Sequence, residues 1–258
     1  MNNPFADENY EVDYGLKGKD IKLREASKGT GSPAKGPQTS PLSVIATSYK
    51  DLEFEPVAPR EQNDSSKARF YFDESLERVK AAGYQRHARP QEEFGLIIDG
   101  LEGKLTGELP KLSADMLTSW GEWLSLAFER KGDLLVCYLD PVGLVWNGNR
   151  YEKQNFSHAG ETTFDIKGIT SGQWVGLEKF RPDFAQFLYG RRFDQLPAEM
   201  REGNKKVHVY LPAEGVAWPV TRGGFNNWYY VVGDYYRYWA SRGVRSSQKN
   251  SSSGNKGP

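Results

Sequence analysis

Leu134-Leu135-Val136-Cys137-Tyr138-Leu139 is an unbroken apolar run, bounded by Gly132-Asp133 on one side and Asp140-Pro141 on the other. Six residues are too few for an ordinary helix and suit a strand, and a strand without polar alternation has to be covered on both faces. The run therefore reads as a fully apolar strand. Turn chemistry follows at once. Asp140-Pro141-Val142-Gly143 has the Pro and Gly of a tight turn, Leu144-Val145-Trp146 returns, and Asn147-Gly148 is a second turn signal, which together predict an antiparallel meander. Thr162–Ile166, Gln173–Leu177 and Lys206–Leu211 read as further strands.

Helical signals come mostly before this run. Asp73-Glu74-Ser75-Leu76-Glu77 puts acids in a first turn that Gly83 later closes, and Pro90 opens a second helix bearing Phe94, Leu96, Ile97, Ile98 and Leu101. A third is expected from an N-cap at Ser113, with Met116, Leu117, Trp120, Trp123, Leu124, Ala127 and Phe128 at three- and four-residue steps and Gly132 as the stop. Pro182–Leu188 reads as a short helix. The fold class expected is α+β, with N-terminal helices packed on a mainly antiparallel sheet.

Two polar arms should flank that domain. The 38% apolar content and a mean hydropathy of −0.69 are low for a chain of 258 residues, so part of it is expected not to fold. Ser27 to Ser43, SKGTGSPAKGPQTSPLS, reads as a flexible linker, and Ser246 to Pro258 is almost wholly Ser, Asn, Lys and Gly. Residues 1–67 are thus expected to be a largely disordered arm and linker, with a short strand at Leu42–Ala46. Residues 68–243 form one α+β domain and 244–258 a disordered tail. Phe5, Tyr10, Tyr14 and Leu16, spaced among acids, suit a peptide that docks on a protein partner or on its own domain.

The N-terminus lacks the basic and apolar pattern of a signal peptide, and no apolar run approaches 18 residues, so neither secretion nor a membrane span is expected. The single Cys137 lies in the apolar run, reads as a small buried hydrophobe and fits a reducing, cytoplasmic setting. Net charge is zero but uneven: residues 181–258 carry 12 basic and 6 acidic side chains. Such a basic third can mark a binding face or a solvated surface.

The densest feature is Phe225 to Trp239, FNNWYYVVGDYYRYW. With Gly233-Asp234 as a type II′ turn it folds into a hairpin whose one face carries Trp228, Tyr230, Tyr235, Arg237 and Trp239. That face has the chemistry of a stacking platform, with Arg222, Arg242 and Arg245 near enough to hold phosphates. Equally, aromatic pairs stabilise a hairpin with no ligand at all.

Catalytic signals are sparse. His87, His158 and His208 stand far apart without metal-ligand spacing, and neither a G-x-S-x-G, a Walker A nor a Rossmann fingerprint occurs, so no cofactor, metal or catalytic residue is assigned. Asp140 with Asp165-Ile166-Lys167 imitates the carboxylate and lysine set of Mg²⁺-dependent nucleases, but acid-x-Lys recurs at Asp20 and Glu102 in this charged chain. Glu92, Glu93, Asp99 and Glu102 read as a solvated helix face, and Arg191, Arg192, Arg201, Lys205 and Lys206 as a basic run. The leading reading is a non-enzymatic binding or assembly protein that contacts another macromolecule. A nucleic-acid-binding protein using the 225–245 hairpin and a metal-dependent nuclease are the alternatives.

Overall fold

Glu122–Lys131 (β4) is the strand on which the rest is built, and it occupies part of the stretch expected to be the third helix. That helix (α3) runs over Leu109–Thr118 instead, with Pro110 in its first turn, and Ser113 sits buried inside it rather than at its start. The reason lies in β4's surroundings. From Glu122 to Glu129 every residue is buried, so the strand has no polar face, and its apolar spacing imitates a helical stripe. A computed structural model of the chain describes residues 47–56, 70–118, 122–170, 174–177, 180, 182–201, 208–222, 230–233 and 241–247.

The expected run Leu134–Leu139 is a strand (β5), paired antiparallel with β4 from Leu134↔Lys131 to Leu139↔Leu126. Its other edge takes Gly160–Asp165 (β8). The predicted meander is corrected here. Val142–Trp146 (β6) leaves the sheet and pairs with Tyr151–Ser157 (β7) as a separate two-stranded ribbon. The departure is fixed at Asp140, which adopts φ 50°, gives its N–H to the Ser125 carbonyl at 3.1 Å, and has its carboxylate held by Arg89 at 2.5 Å. Gly143 then needs its positive φ of 80°, and a Cβ there would lie 2.2 Å from the Gln154 carbonyl oxygen, so the ribbon kinks at a glycine.

Beyond β4 lies Ala217–Arg222 (β11), then Tyr230–Gly233 (β12), His208–Tyr210 (β10) and Trp174–Gly176 (β9). The sheet order is β8-β5-β4-β11-β12-β10-β9, antiparallel throughout except between β10 and β12. A second, antiparallel sheet joins Thr47–Tyr49 (β1), Leu52–Phe54 (β2), Gly243–Ser246 (β13) and Arg86–His87 (β3) in the order β1-β2-β13-β3. Folded residues thus begin ahead of the expected boundary at 68. They also run past 243, because β13 is the strand that β2 and β3 need.

Phe72–Ala81 (α1) and Pro90–Leu101 (α2) begin where the acids and the proline placed them. In each the third residue is a glutamate that reaches back to a cap N–H, Glu74 to Tyr71 at 3.2 Å and Glu92 to Arg89 at 2.8 Å. Pro182–Tyr189 (α4) completes the layer, and Ala198–Arg201 (α5) adds one turn. The two faces of β4 explain the two cores. Leu124, Leu126 and Phe128 pack with α2, α3 and α4 residues such as Phe94, Ile97, Met116 and Phe184. Trp123 and Ala127 point the other way, to Phe72, Leu144 and Tyr151, where the β6–β7 ribbon closes the opposite face. The architecture is α+β, with helices against a mainly antiparallel sheet. The rest of the expected arms, residues 1–46, 57–67 and 248–258, and with it the strand at Leu42–Ala46, lies outside the described residues.

Candidate functional site

The aromatic segment between Arg222 and Arg242 is held at each end by one carboxylate. Glu122 opens β4 opposite Arg222, its register partner on β11, and is fully buried. Arg242, just ahead of β13, gives Glu122 two hydrogen bonds, Nε to Oε2 at 2.8 Å and Nη2 to Oε1 at 3.0 Å, while Arg222 Nη2 lies 3.5 Å from the same Oε1. Each guanidinium has further acceptors. Arg222 Nε donates to Glu93 on α2, and Arg242 donates to Asp115 on α3 at 2.6 Å and to the Glu55 carbonyl at 2.6 Å. Side-chain exposure is 2% for Arg222 and 1% for Arg242, so both cations live in the interior and depend on these partners. Arginine suits the place because its flat fork can satisfy two carboxylates at once.

This geometry corrects the expected phosphate contacts. Arg222 and Arg242 are the buried footings of the segment, with no face open to a ligand. Arg245 is closer to the surface but pairs with Glu53 at 2.7 Å and lies over the Tyr84 ring at 5.3 Å. Gly243 is needed between them, since a Cβ there would come within 2.5 Å of the Tyr84 Cβ. Trp228, Tyr235, Arg237 and Trp239 lie outside the described residues. Tyr230 is placed by its backbone on β12, in parallel register with His208 and one step before the Val231↔Arg222 pair.

The proposed Gly233-Asp234 hairpin is also corrected. β12 pairs with β11 through Val220↔Gly233, Thr221↔Val232 and Arg222↔Val231, and its other edge is taken by β10. Among the described residues both edges of β12 are thus taken, by β11 and β10, whereas the expected hairpin left one of them to residues 235–239, which lie outside the described residues.

Beside this frame lies a second buried polar pair. Ser75 Oγ on α1 and His87 Nε2 on β3 are 2.7 Å apart, both without solvent exposure and with the Phe72 ring 5.3 Å from the imidazole. Burial and the nearby Arg78 hold His87 neutral, its pKa pushed down to about 3. Arg78 itself makes a two-point pair with Glu55, at 2.9 and 2.5 Å, and so ties α1 to the end of β2. The two groups lie at hydrogen-bond distance and are fully enclosed by their surroundings.

The remaining sequence candidates separate in space. Asp165 pairs with Leu134 at one end of β5, whereas Asp140 lies just past Leu139 at the other, about 20 Å away at the rise of a strand. They cannot share a metal ion, and Asp140 is occupied by Arg89 and Arg86, the latter at 3.6 Å. Among the described residues no group of three His, Cys, Asp or Glu is placed to hold a metal. The helix acids are all engaged: Glu92 with Arg86 at 2.7 Å, Asp99 with the Tyr49 hydroxyl at 2.5 Å, Glu102 with Arg191 at 2.6 Å. Glu93, expected on a solvated face, is buried against Arg222. In the basic run Arg191 and Arg192 have acidic partners, Arg201 donates to the Leu196 carbonyl, and Lys205 and Lys206 lie outside the described residues.

Cys137 is fully buried and desolvation raises its thiol well above the usual range. Its thiol is expected to stay unmodified by a water-soluble disulfide reagent in the folded chain and to react at once in denaturant. Stoichiometric labelling under native conditions would contradict its placement.

No family model and no curated protein matches the chain. One solved structure does, described as accommodation of massive sequence variation in Nanoarchaeota by the C-type lectin fold. The likeness covers 68% of this chain and 94% of that one, at 11% identity and a TM-score of 0.36.

Proposed function

We propose that the chain is a non-enzymatic binding protein that contacts another macromolecule through residues 223–241. The observation that carries the reading is the shared hold of Arg222 and Arg242 on Glu122, which fixes both ends of one segment to a single buried point. Between those ends the sequence has eight aromatic residues, Phe225, Trp228, Tyr229, Tyr230, Tyr235, Tyr236, Tyr238 and Trp239, but one acid and one base. Large rings with few torsions, held on a rigid base, are the usual material of binding hot spots. A protein is the favoured partner, because two of the arginines that would have met phosphates, Arg222 and Arg242, are internal and the third, Arg245, is paired with Glu53. An intracellular setting belongs to the same proposal and is supported by the lone buried cysteine. Among the described residues no helix is long and apolar enough to cross a membrane.

The test is Trp228→Ala combined with Tyr235→Ala and Trp239→Ala in the full chain. Each truncated hot-spot aromatic costs about 2 kcal/mol or more of binding, so the triple variant should lose well over a hundredfold in affinity for whatever co-purifies with the wild type. Its melting temperature should stay close to that of the wild type. A variant that keeps its partner, or that unfolds because the three rings are core, overturns the reading. Salt-sensitive affinity for single-stranded DNA would transfer it to nucleic acid.

A further inference from the structure

The acids around the two footing arginines are not equivalent. Glu122 is bonded through both of its oxygens to Arg242, and Asp115 on α3 is partly open to solvent, its side chain 31% exposed. Glu93 on α2 is 1% exposed, meets Arg222 through Oε1, and its buried Oε2 has no hydrogen-bond partner among the described residues. A buried carboxylate oxygen with nothing to bond is costly when charged and cheap when it carries a proton. Glu122 adds a like charge, since both acids approach the same guanidinium.

We propose that Glu93 is a proton-binding latch between α2 and β11: the closed cluster keeps a proton on Glu93, and losing it loosens Arg222 together with the β11–β12 pair. The groups that set its behaviour come from every described element packed around it. β11 supplies Arg222, β4 supplies Glu122, and the start of β13 supplies Arg242, which α3 in turn meets with Asp115. On α2 itself Glu92 is turned away to Arg86, and α4 brings the buried phenol of Tyr189 against the Phe94 ring at 4.5 Å. His87 on β3 lies within reach of the Glu122 charge but stays neutral.

Burial outweighs Arg222 and pushes Glu93 up from 4.5 to about 7, with Glu122 acting in the same direction. The sign follows. Between these two values the folded chain holds a proton that an opened chain has released, so raising the pH through this window favours opening, and the effect levels off above it. One proton corresponds to about tenfold in the opening equilibrium per pH unit.

Hydrogen exchange of amides in 217–222 and 230–233, corrected for the intrinsic rate, tests this on the full chain without any partner. Opening in the wild type should increase by about tenfold per unit between pH 5 and 7, whereas Glu93→Gln, which keeps the shape of the protonated acid, should show no such slope. A flat wild-type profile overturns the latch, as does a slope that survives in Glu93→Gln. The carbon chemical shift of the Glu93 carboxyl, followed by NMR in glutamate-labelled wild type, decides the matter independently of the variant. A midpoint near 7 supports the latch and one below 5 overturns it. These readouts involve no ligand, so the latch can stand when the aromatic triple variant fails, and the reverse.

Discussion

Glu122→Ala is expected to lower the melting temperature by roughly 10 °C, because it strands two cations at once. Arg222 and Arg242 are almost wholly buried, and both approach the Glu122 carboxylate. Breaking a buried ion pair by removing one member costs about 3 to 5 kcal/mol, most of it the penalty of the charge left behind. For a folded region of this size each kcal/mol is worth about 2 to 4 °C. Asp115 remains as a counter-charge to Arg242, and Glu93 still accepts a hydrogen bond from Arg222, which keeps the expectation inside that range rather than above it. Glu152→Ala supplies the comparison. Its partner Arg150 is 61% exposed, and a solvated pair of that kind is worth at most about 1 kcal/mol. Calorimetric scans of both variants decide: if Glu122→Ala melts together with Glu152→Ala, the two arginines are not anchored as described. The loss should also appear as faster exchange in β11 and β13 before it appears elsewhere, since those strands carry the footings.

The elements that could be read from the sequence are those whose signals are local. Glu74 and Glu92 bond to backbone N–H groups three residues away, and Pro90 starts a helix by its own ring, so α1 and α2 began where expected. β5 was legible because both of its faces are apolar within six residues. β4 was not, for the same physical cause acting over ten residues: a strand buried on both sides shows no alternation, and Trp123, Leu124, Ala127 and Phe128 fall at helical spacing by coincidence. The site itself was hidden by distance. Glu93 and Arg222 are 129 positions apart, and Arg242 and Glu122 are 120 apart. Nothing local marks a glutamate at the start of an apolar run as the counter-charge of a distant arginine. The aromatic segment was recognised as the densest feature, but its partner strands were misread, since parallel pairing of β12 with β10 leaves no turn signal.

Phe184→Ala is expected to destabilise the fold by about 3 to 5 kcal/mol, the range for deleting a buried phenylalanine. The ring has no solvent exposure, and it is the point where α4 meets the sheet and the chain around it. Four other phenylalanines surround it, with ring centres 4.5 Å away for Phe180, 4.8 Å for Phe164, 5.9 Å for Phe128 and 6.1 Å for Phe187. Those rings come from β4, β8, the segment before α4 and α4 itself, so no single element can move to fill the space, and the cavity term should be near its maximum. Phe184→Leu separates the contributions. It keeps most of the volume and should recover more than half of the loss, which urea unfolding would register as a shift in midpoint with little change in slope. The hole lies on the helix-covered face of the sheet, and the footings Arg222 and Arg242 rest on α2 and α3 rather than on α4. Partner affinity at temperatures where the variant remains folded should therefore be kept. If affinity fell in proportion to stability, the binding segment would have to lean on α4, and the frame built around Glu122 would not be its only support.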